Sequence, residues 1–129
     1  MINQKKRPRT KRNPNGAMNK KIKVKESDLQ NSIFEYLALL PGCFCWRNNS
    51  VGVFDPVRKV YRTNNSKYVI NGTADILGIY LGRPLAIEVK GTGGVLSDNQ
   101  ILFLDNFENV GGIAIAAWSL EDVIEKLKI

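Results

Sequence analysis

The sequence predicts an α/β fold in which a mixed β-sheet is flanked by helices. Three observations lead there. Apolar residues recur at helical spacing in three separate segments, and short apolar runs with strand character lie between them. The chain of 129 residues, 43% of them apolar, is one domain's worth. The strands before and after the second helix are placed to lie parallel through a right-handed crossover.

The first helix is expected to start near Glu26–Asp28, with Leu29, Ile33, Leu37 and Leu40 on one stripe and Pro41-Gly42 ending it. Phe44 and Trp46 follow in a strand, with Trp46 expected in the core, and Arg47-Asn48-Asn49-Ser50 continues into a polar loop. Residues 51–54 and 59–63 read as a small hairpin around Asp55-Pro56. A polar loop over 64–67 and the turn Asn71-Gly72 lead to a strand over 74–80. Leu81-Gly82 is a tight turn into a second strand over 84–90, which Gly91–Gly94 interrupts. Ser97 opens the second helix, to about Asn109, with Gln100 at capping-box spacing. Gly111-Gly112 precedes a strand over 113–118, and Ser119 caps a last helix carrying Leu120, Val123, Ile124 and Leu127.

Composition narrows the chemistry. There is no histidine, which removes Ser-His-Asp and Cys-His catalysis, histidine bases and most zinc sites. Any metal would be held by carboxylates, which suit hard ions such as Mg²⁺ or Mn²⁺. Cys43 and Cys45 read as small apolar fillers in a reducing compartment, on one face of a strand and too close in sequence for an unstrained disulfide. No apolar run is long enough to span a bilayer, and no apolar segment of signal-peptide type follows the basic N-terminus, so no membrane partner is expected.

The net charge of +7 is unevenly distributed. Ten of the nineteen basic side chains lie in residues 1–25 with no acid among them, whereas the other 104 residues hold nine bases and twelve acids. With too few apolar groups to pack, residues 1–20 are expected to form a disordered basic arm, ahead of a folded domain over 21–129. Such an arm suits phosphate backbones; a localisation run or a solubilising tail has the same composition.

The candidate site lies on the two strands joined by Leu81-Gly82. Glu88 and Lys90, two residues apart, project to one face and Val89 to the other. Alone they would read as a salt-bridged pair on a half-exposed sheet. A two-residue turn, however, pairs Tyr80 with Arg83 and Ile76 with Ile87, and so sets Asp75 opposite Glu88. Two carboxylates that close repel, and a divalent cation reverses the sign of that interaction. Asp75 and Glu88 are therefore expected to hold a metal, and Lys90 to orient an attacking water, an arrangement that stabilises charge on a phosphoryl group.

Asp75 followed by Glu88-Val89-Lys90 resembles the PD-(D/E)XK nuclease superfamily, whose restriction-endonuclease-like core runs αβββαβ; here Ala74 replaces the proline of the name. More narrowly the chain resembles VRR-NUC (virus-type replication-repair nuclease) domains of the stand-alone viral or phage type. The resembling segments are Glu26-Ser-Asp-Leu-Gln30, Trp46-Arg-Asn-Asn49, Gly72-Thr-Ala-Asp-Ile-Leu-Gly78, Ile87-Glu-Val-Lys-Gly91, Leu96-Ser-Asp-Asn-Gln100 and Gly111-Gly112. The resemblance implies a Mg²⁺- or Mn²⁺-dependent endodeoxyribonuclease. Its implied substrate is branched DNA cut in the manner of a Holliday-junction resolvase, with flaps, nicks or single strands as the alternative. It further implies a homodimer, working in the cytoplasm of a host cell if viral or in the nucleus if eukaryotic.

Residue by residue, the resemblance makes Asp75 and Glu88 metal ligands, adds the Val89 carbonyl and gives Lys90 the water. It assigns the first helix's acid to Glu26, with Glu35 second in line; Glu26 is equally a favourable acid in a helix's first turn. Gln100 matches a glutamine near the scissile phosphate, and its capping box with Ser97 is the other reading. Arg47, Asn48 and Asn49, with Arg58, Lys59, Arg62, Lys67 and Lys21, are expected to meet DNA, and Gly91–Gly94 to permit its close approach or to move. A DNA-binding module without catalysis is the rival class, which opposed carboxylates disfavour.

Overall fold

A computed structural model describes residues 22–48, 53–62 and 67–128. The arm over residues 1–20, Lys21 and Asn49 lie outside them, as does the side chain of Arg62. Three helices and six strands are described. Helix α1 (Glu26–Ala38) buries Leu29, Ile33 and Leu37, one per turn, and carries Glu26 and Asp28 in its first turn, where the helix dipole favours acids. It ends before the expected Pro41-Gly42. The amides of Leu39 and Leu40 reach back only three residues, to Tyr36 and Leu37, so the last turn tightens ahead of the proline.

Strand β1 (Cys43–Arg47) follows, then a separate two-stranded hairpin of β2 (Val53–Asp55) and β3 (Val60–Arg62). β4 (Ile76–Tyr80) and β5 (Arg83–Val89) form the tight hairpin read from the sequence. Leu81 and Gly82 both have positive φ, 48° and 80°, which matches the twist of the flanking strands. Tyr80 pairs with Arg83 and Ile76 with Ile87, as expected. Helix α2 (Asp98–Asn109) crosses over to β6 (Ile113–Ala117), which runs parallel to β5, and α3 (Leu120–Leu127) completes the chain.

The main sheet is ordered β1-β4-β5-β6, antiparallel except for the last pair. One face packs Ile76, Leu85, Ile87, Val89 and Ile115 against α1 and α3, with Cys43 and Cys45 at the margin of this core. Both cysteines are free thiols, and burial is the main cause that pushes Cys45 up to about 11. The other face packs Ala86, Ala114 and Ala116 against Leu104 of α2. β5 is thus buried on both sides from Leu85 to Val89, so Glu88 sits in an otherwise apolar strand. Among the described residues no helix is long and apolar enough to cross a membrane.

Gly78 shows how tightly the strands meet. A Cβ there would lie 2.5 Å from the Phe44 carbonyl oxygen and 2.7 Å from Cys45 Cβ. Gly78→Ala should therefore cost about 1–3 kcal/mol through overpacking, read as a lower urea midpoint with unchanged slope; a midpoint equal to wild type would mean that β1 docks loosely on β4.

Candidate active site

The strand register brings Asp75, Glu88 and Lys90 to one end of the sheet. Asp75 stands immediately before β4, Glu88 lies within β5 and Lys90 immediately follows it. Backbone bonds continue the ladders on both sides: the Asn48 amide donates to the Asp75 carbonyl at 2.8 Å, and the Lys90 amide to the Ala117 carbonyl at 2.8 Å. The Asp75 carboxylate does not simply face solvent. Its Oδ2 accepts the Val89 amide proton at 2.9 Å, which ties the acid to the backbone of the neighbouring strand.

Glu88 is only 2% exposed. Its Oε1 accepts from Gln100 Nε2 at 2.6 Å and pairs with Lys90 Nζ at 3.7 Å. Oε2 is buried and, with both acids ionised, has no donor. Burial is the largest cause that lifts the Glu88 carboxyl from its ordinary 4.5 to about 8; the Asp75 charge adds to it, Lys90 opposes it, and Glu26 contributes a small rise. A proton on Glu88 would remove its repulsion with Asp75.

Gln100 closes the capping box read from the sequence and also reaches the carboxylate of Glu88. Its Oε1 accepts the Ser97 amide at 2.9 Å, and its own amide donates to Ser97 Oγ at 3.2 Å, a closed capping box at the start of α2. With Oε1 engaged there, Nε2 is aimed at Glu88. Gly72 permits this docking: a Cβ on it would lie 2.5 Å from the Asn99 backbone, so the turn before Asp75 rests directly on the first turn of α2.

The segment ahead of α1 runs beside Gly91 and Thr92. The Thr92 amide donates to the Val24 carbonyl at 3.0 Å, and the Val24 amide to Thr92 Oγ1 at 2.7 Å. A Cβ on Gly91 would come within 2.8 Å of the Val24 carbonyl oxygen and 3.0 Å of the Glu26 nitrogen. Gly91 is thus required by the chain's own N-terminal segment, a reason for glycine there that the sequence did not show. Gly94 closes a turn back to the Gly91 carbonyl, receives the Trp118 indole N–H at 2.8 Å and lies against the stem of Lys90. Thr92 and Trp118 carried no sequence signal for these positions, because both partners are distant along the chain.

Glu26 begins α1 at the edge of this group, exposed. Glu35 lies about two and a half turns further along the helix and is also exposed. Among the described residues no three acidic, cysteine or histidine side chains gather closely enough to hold an ion by themselves. A cation at Asp75 and Glu88 would therefore complete its shell with backbone oxygen, water or substrate.

The expected DNA-contacting residues are dispersed. Asn48 is half-buried beside Asp75. Arg47 is held toward α1, its guanidinium 3.4 Å from Asn31 Oδ1 and 5.7 Å from the Phe34 ring centre. Arg58 and Lys59 stand exposed on the turn of the separate hairpin, and Lys67 lies against Tyr68, its Nζ 5.1 Å from the ring centre. Trp46, expected in the core, is 45% exposed, because α1 covers the opposite face of β1.

Comparison of this chain with family models, with curated proteins and with solved structures found no match.

The raised Glu88 pKa sets a pH dependence. A carboxyl raised in the folded state contributes stability that is complete below its unfolded value near 4.5 and is lost as pH rises through about 8. In EDTA, the urea midpoint should fall between pH 5 and pH 8, and Glu88→Gln should flatten that fall; the same decline in both proteins would remove Glu88 as its cause.

Proposed function

We propose that this chain is a metal-dependent DNA endonuclease of the PD-(D/E)XK type, with a VRR-NUC-like domain. The observation that carries the reading is the buried Glu88 in mutual repulsion with the half-buried Asp75, with Lys90 beside them. Folding alone has no use for this pair: an apolar residue in place of Glu88 would pack into β5 at no electrostatic cost. The order α1, β1, β4, β5, α2, β6 also follows the αβββαβ pattern, with the β2–β3 hairpin inserted and α3 appended.

The donor set fits Mg²⁺ or Mn²⁺. It consists of hard oxygens, one of them buried without a donor, and lacks the histidine and thiolate ligands that select zinc. Asp75 and Glu88 would hold the ion, with the Val89 carbonyl as a further oxygen. When bound, it neutralises the two carboxylates and supplies Lewis acidity toward a phosphoryl oxygen and a water.

The chain's own residues do the rest. Gln100 holds one Glu88 oxygen, which leaves the other for the ion. The Val89 amide keeps Asp75 turned toward β5. The Lys90 ammonium, placed by its backbone bond to β6 and by the wall at Gly94, orients the attacking water and stabilises charge on the phosphate oxygens. Glu26, in the first turn of α1, would act through a water.

The resemblance supplies the finer reading. The substrate is branched DNA cut in a resolvase-like manner by a two-fold dimer, each protomer presenting one site to one strand. The reaction belongs where that DNA is, the cytoplasm of an infected cell or a nucleus.

Plasmid nicking should require Mg²⁺ or Mn²⁺, and Lys90→Ala should slow it about a hundredfold or more. Calorimetry should show Mn²⁺ binding lost in Asp75→Asn. Nicking that persists in EDTA, or Mn²⁺ binding indifferent to Asp75, would sink the metal-nuclease reading.

A further inference from the structure

The sheet face that carries Glu88 is only half covered. Across it, Trp46 pairs with Leu77 and Leu77 with Ala86; in the next row Phe44 pairs with Ile79 and Ile79 with Pro84. Paired residues share a face, and Leu77 and Ala86 pack in the core beneath α2, so all these side chains lie on the α2 side. Glu88 is two residues beyond Ala86 on the same side. Helix α2 lies over β5 and β6. Above β1 and β4 no described element covers the face: Phe44 is 70% exposed, Trp46 45% and Ile79 47%. The Phe44 and Trp46 rings lie 5.8 Å apart, tilted by 51°.

From this we infer that Phe44 and Trp46 form a stacking platform for unpaired bases of single-stranded DNA entering the Asp75–Glu88 site. The inference rests on the nuclease reading for what the site does, and adds the substrate element that it recognises.

Position and chemistry both favour this occupant. Trp46 is diagonal to Asp75, two residues along and one strand over, roughly 8 Å between Cα atoms by sheet geometry. That is within reach of a nucleotide next to the one at the site. Base faces are buried against each other in a duplex and are free only where strands are unpaired, and aromatic side chains receive them regardless of sequence. Positive charge lies at the site's end of the sheet. Lys23 and Lys25 are exposed on the segment that runs beside Thr92, and Lys90 is at the site. The patch is too small for a second copy of the chain: the three side chains leave on the order of 300 Å² exposed, against roughly 800 Å² per partner in a stable interface. It does match the faces of one or two bases. A fully paired four-way junction offers no free base face, so among the DNA substrates that the resemblance implies the platform favours the flap or single-strand alternative over the resolvase-like one.

The test measures binding apart from cleavage, on the full chain in EDTA, by fluorescence anisotropy with labelled ten-residue oligothymidine and a labelled hairpin duplex. Trp46→Ala should weaken oligothymidine binding about tenfold, Trp46→Phe should recover most of it, and duplex affinity should change less than about twofold. Phe44→Ala should show a smaller loss of the same selectivity. Both side chains are exposed, so these variants should fold. Unchanged oligothymidine affinity, or an equal loss on duplex, would overturn the platform. A wild-type dimer that sediments as a monomer in Trp46→Ala would overturn it as well, by showing that the face meets another copy. Selective oligothymidine binding with no cleavage of any DNA in Mg²⁺ or Mn²⁺ would leave the platform standing and remove the nuclease. Normal cleavage with no Trp46 effect on binding would do the reverse.

Discussion

A carboxylate enclosed in the central strand of a sheet, with a second carboxylate on the neighbouring strand, is the constraint around which the rest of this molecule is arranged. Glu88 lies among Ala86, Ile87 and Val89, in surroundings that favour its neutral form. Each neighbour answers part of the problem. Gln100 donates to one oxygen, Lys90 brings a compensating charge, and the Val89 amide turns Asp75 toward β5. The second Glu88 oxygen is left to a proton or a cation. Whatever binds there changes the charge of the whole site.

The elements that present these groups are rigid and doubly anchored. β5 is hydrogen-bonded on both edges and covered on both faces, so the backbone at Glu88 and Lys90 has little freedom. Helix α2 is capped by the residue that also holds Glu88, which couples the start of the helix to the orientation of the acid. The approach of α1 is set by Gly91 and Thr92 on the strand's continuation, so that Glu26 and the lysines before it arrive at the same end of the sheet.

Much of this was legible in the chain because it depends on local spacing. The turn at Leu81-Gly82 fixes a register by counting, and counting sets Asp75 opposite Glu88. Ser97 and Gln100 announce a capping box at three-residue spacing, and the helices follow their apolar stripes. The absence of histidine limits any metal to hard oxygen ligands before any fold is known.

Other features depend on contacts between residues far apart in sequence, which no local pattern encodes. Trp46 has the composition of a core residue, and only the placement of α2 over β5 and β6 leaves it in solvent. The need for glycine at Gly91 comes from the backbone of Val24 and Glu26, which only the packing of the segment ahead of α1 brings beside it. Gln100 announced its cap but not its contact with Glu88, which exists because α2 docks on the turn at Gly72 and leaves the free end of the same amide group aimed at the acid. Sequence by itself determined the α/β class, the strand register and the identity of the opposed acids, since periodicity and turn length are properties of neighbouring residues. Tertiary structure alone decided how far Glu88 is buried, which of its oxygens is left without a donor and which aromatic side chains face outward, since burial is a property of what the rest of the chain lays on top.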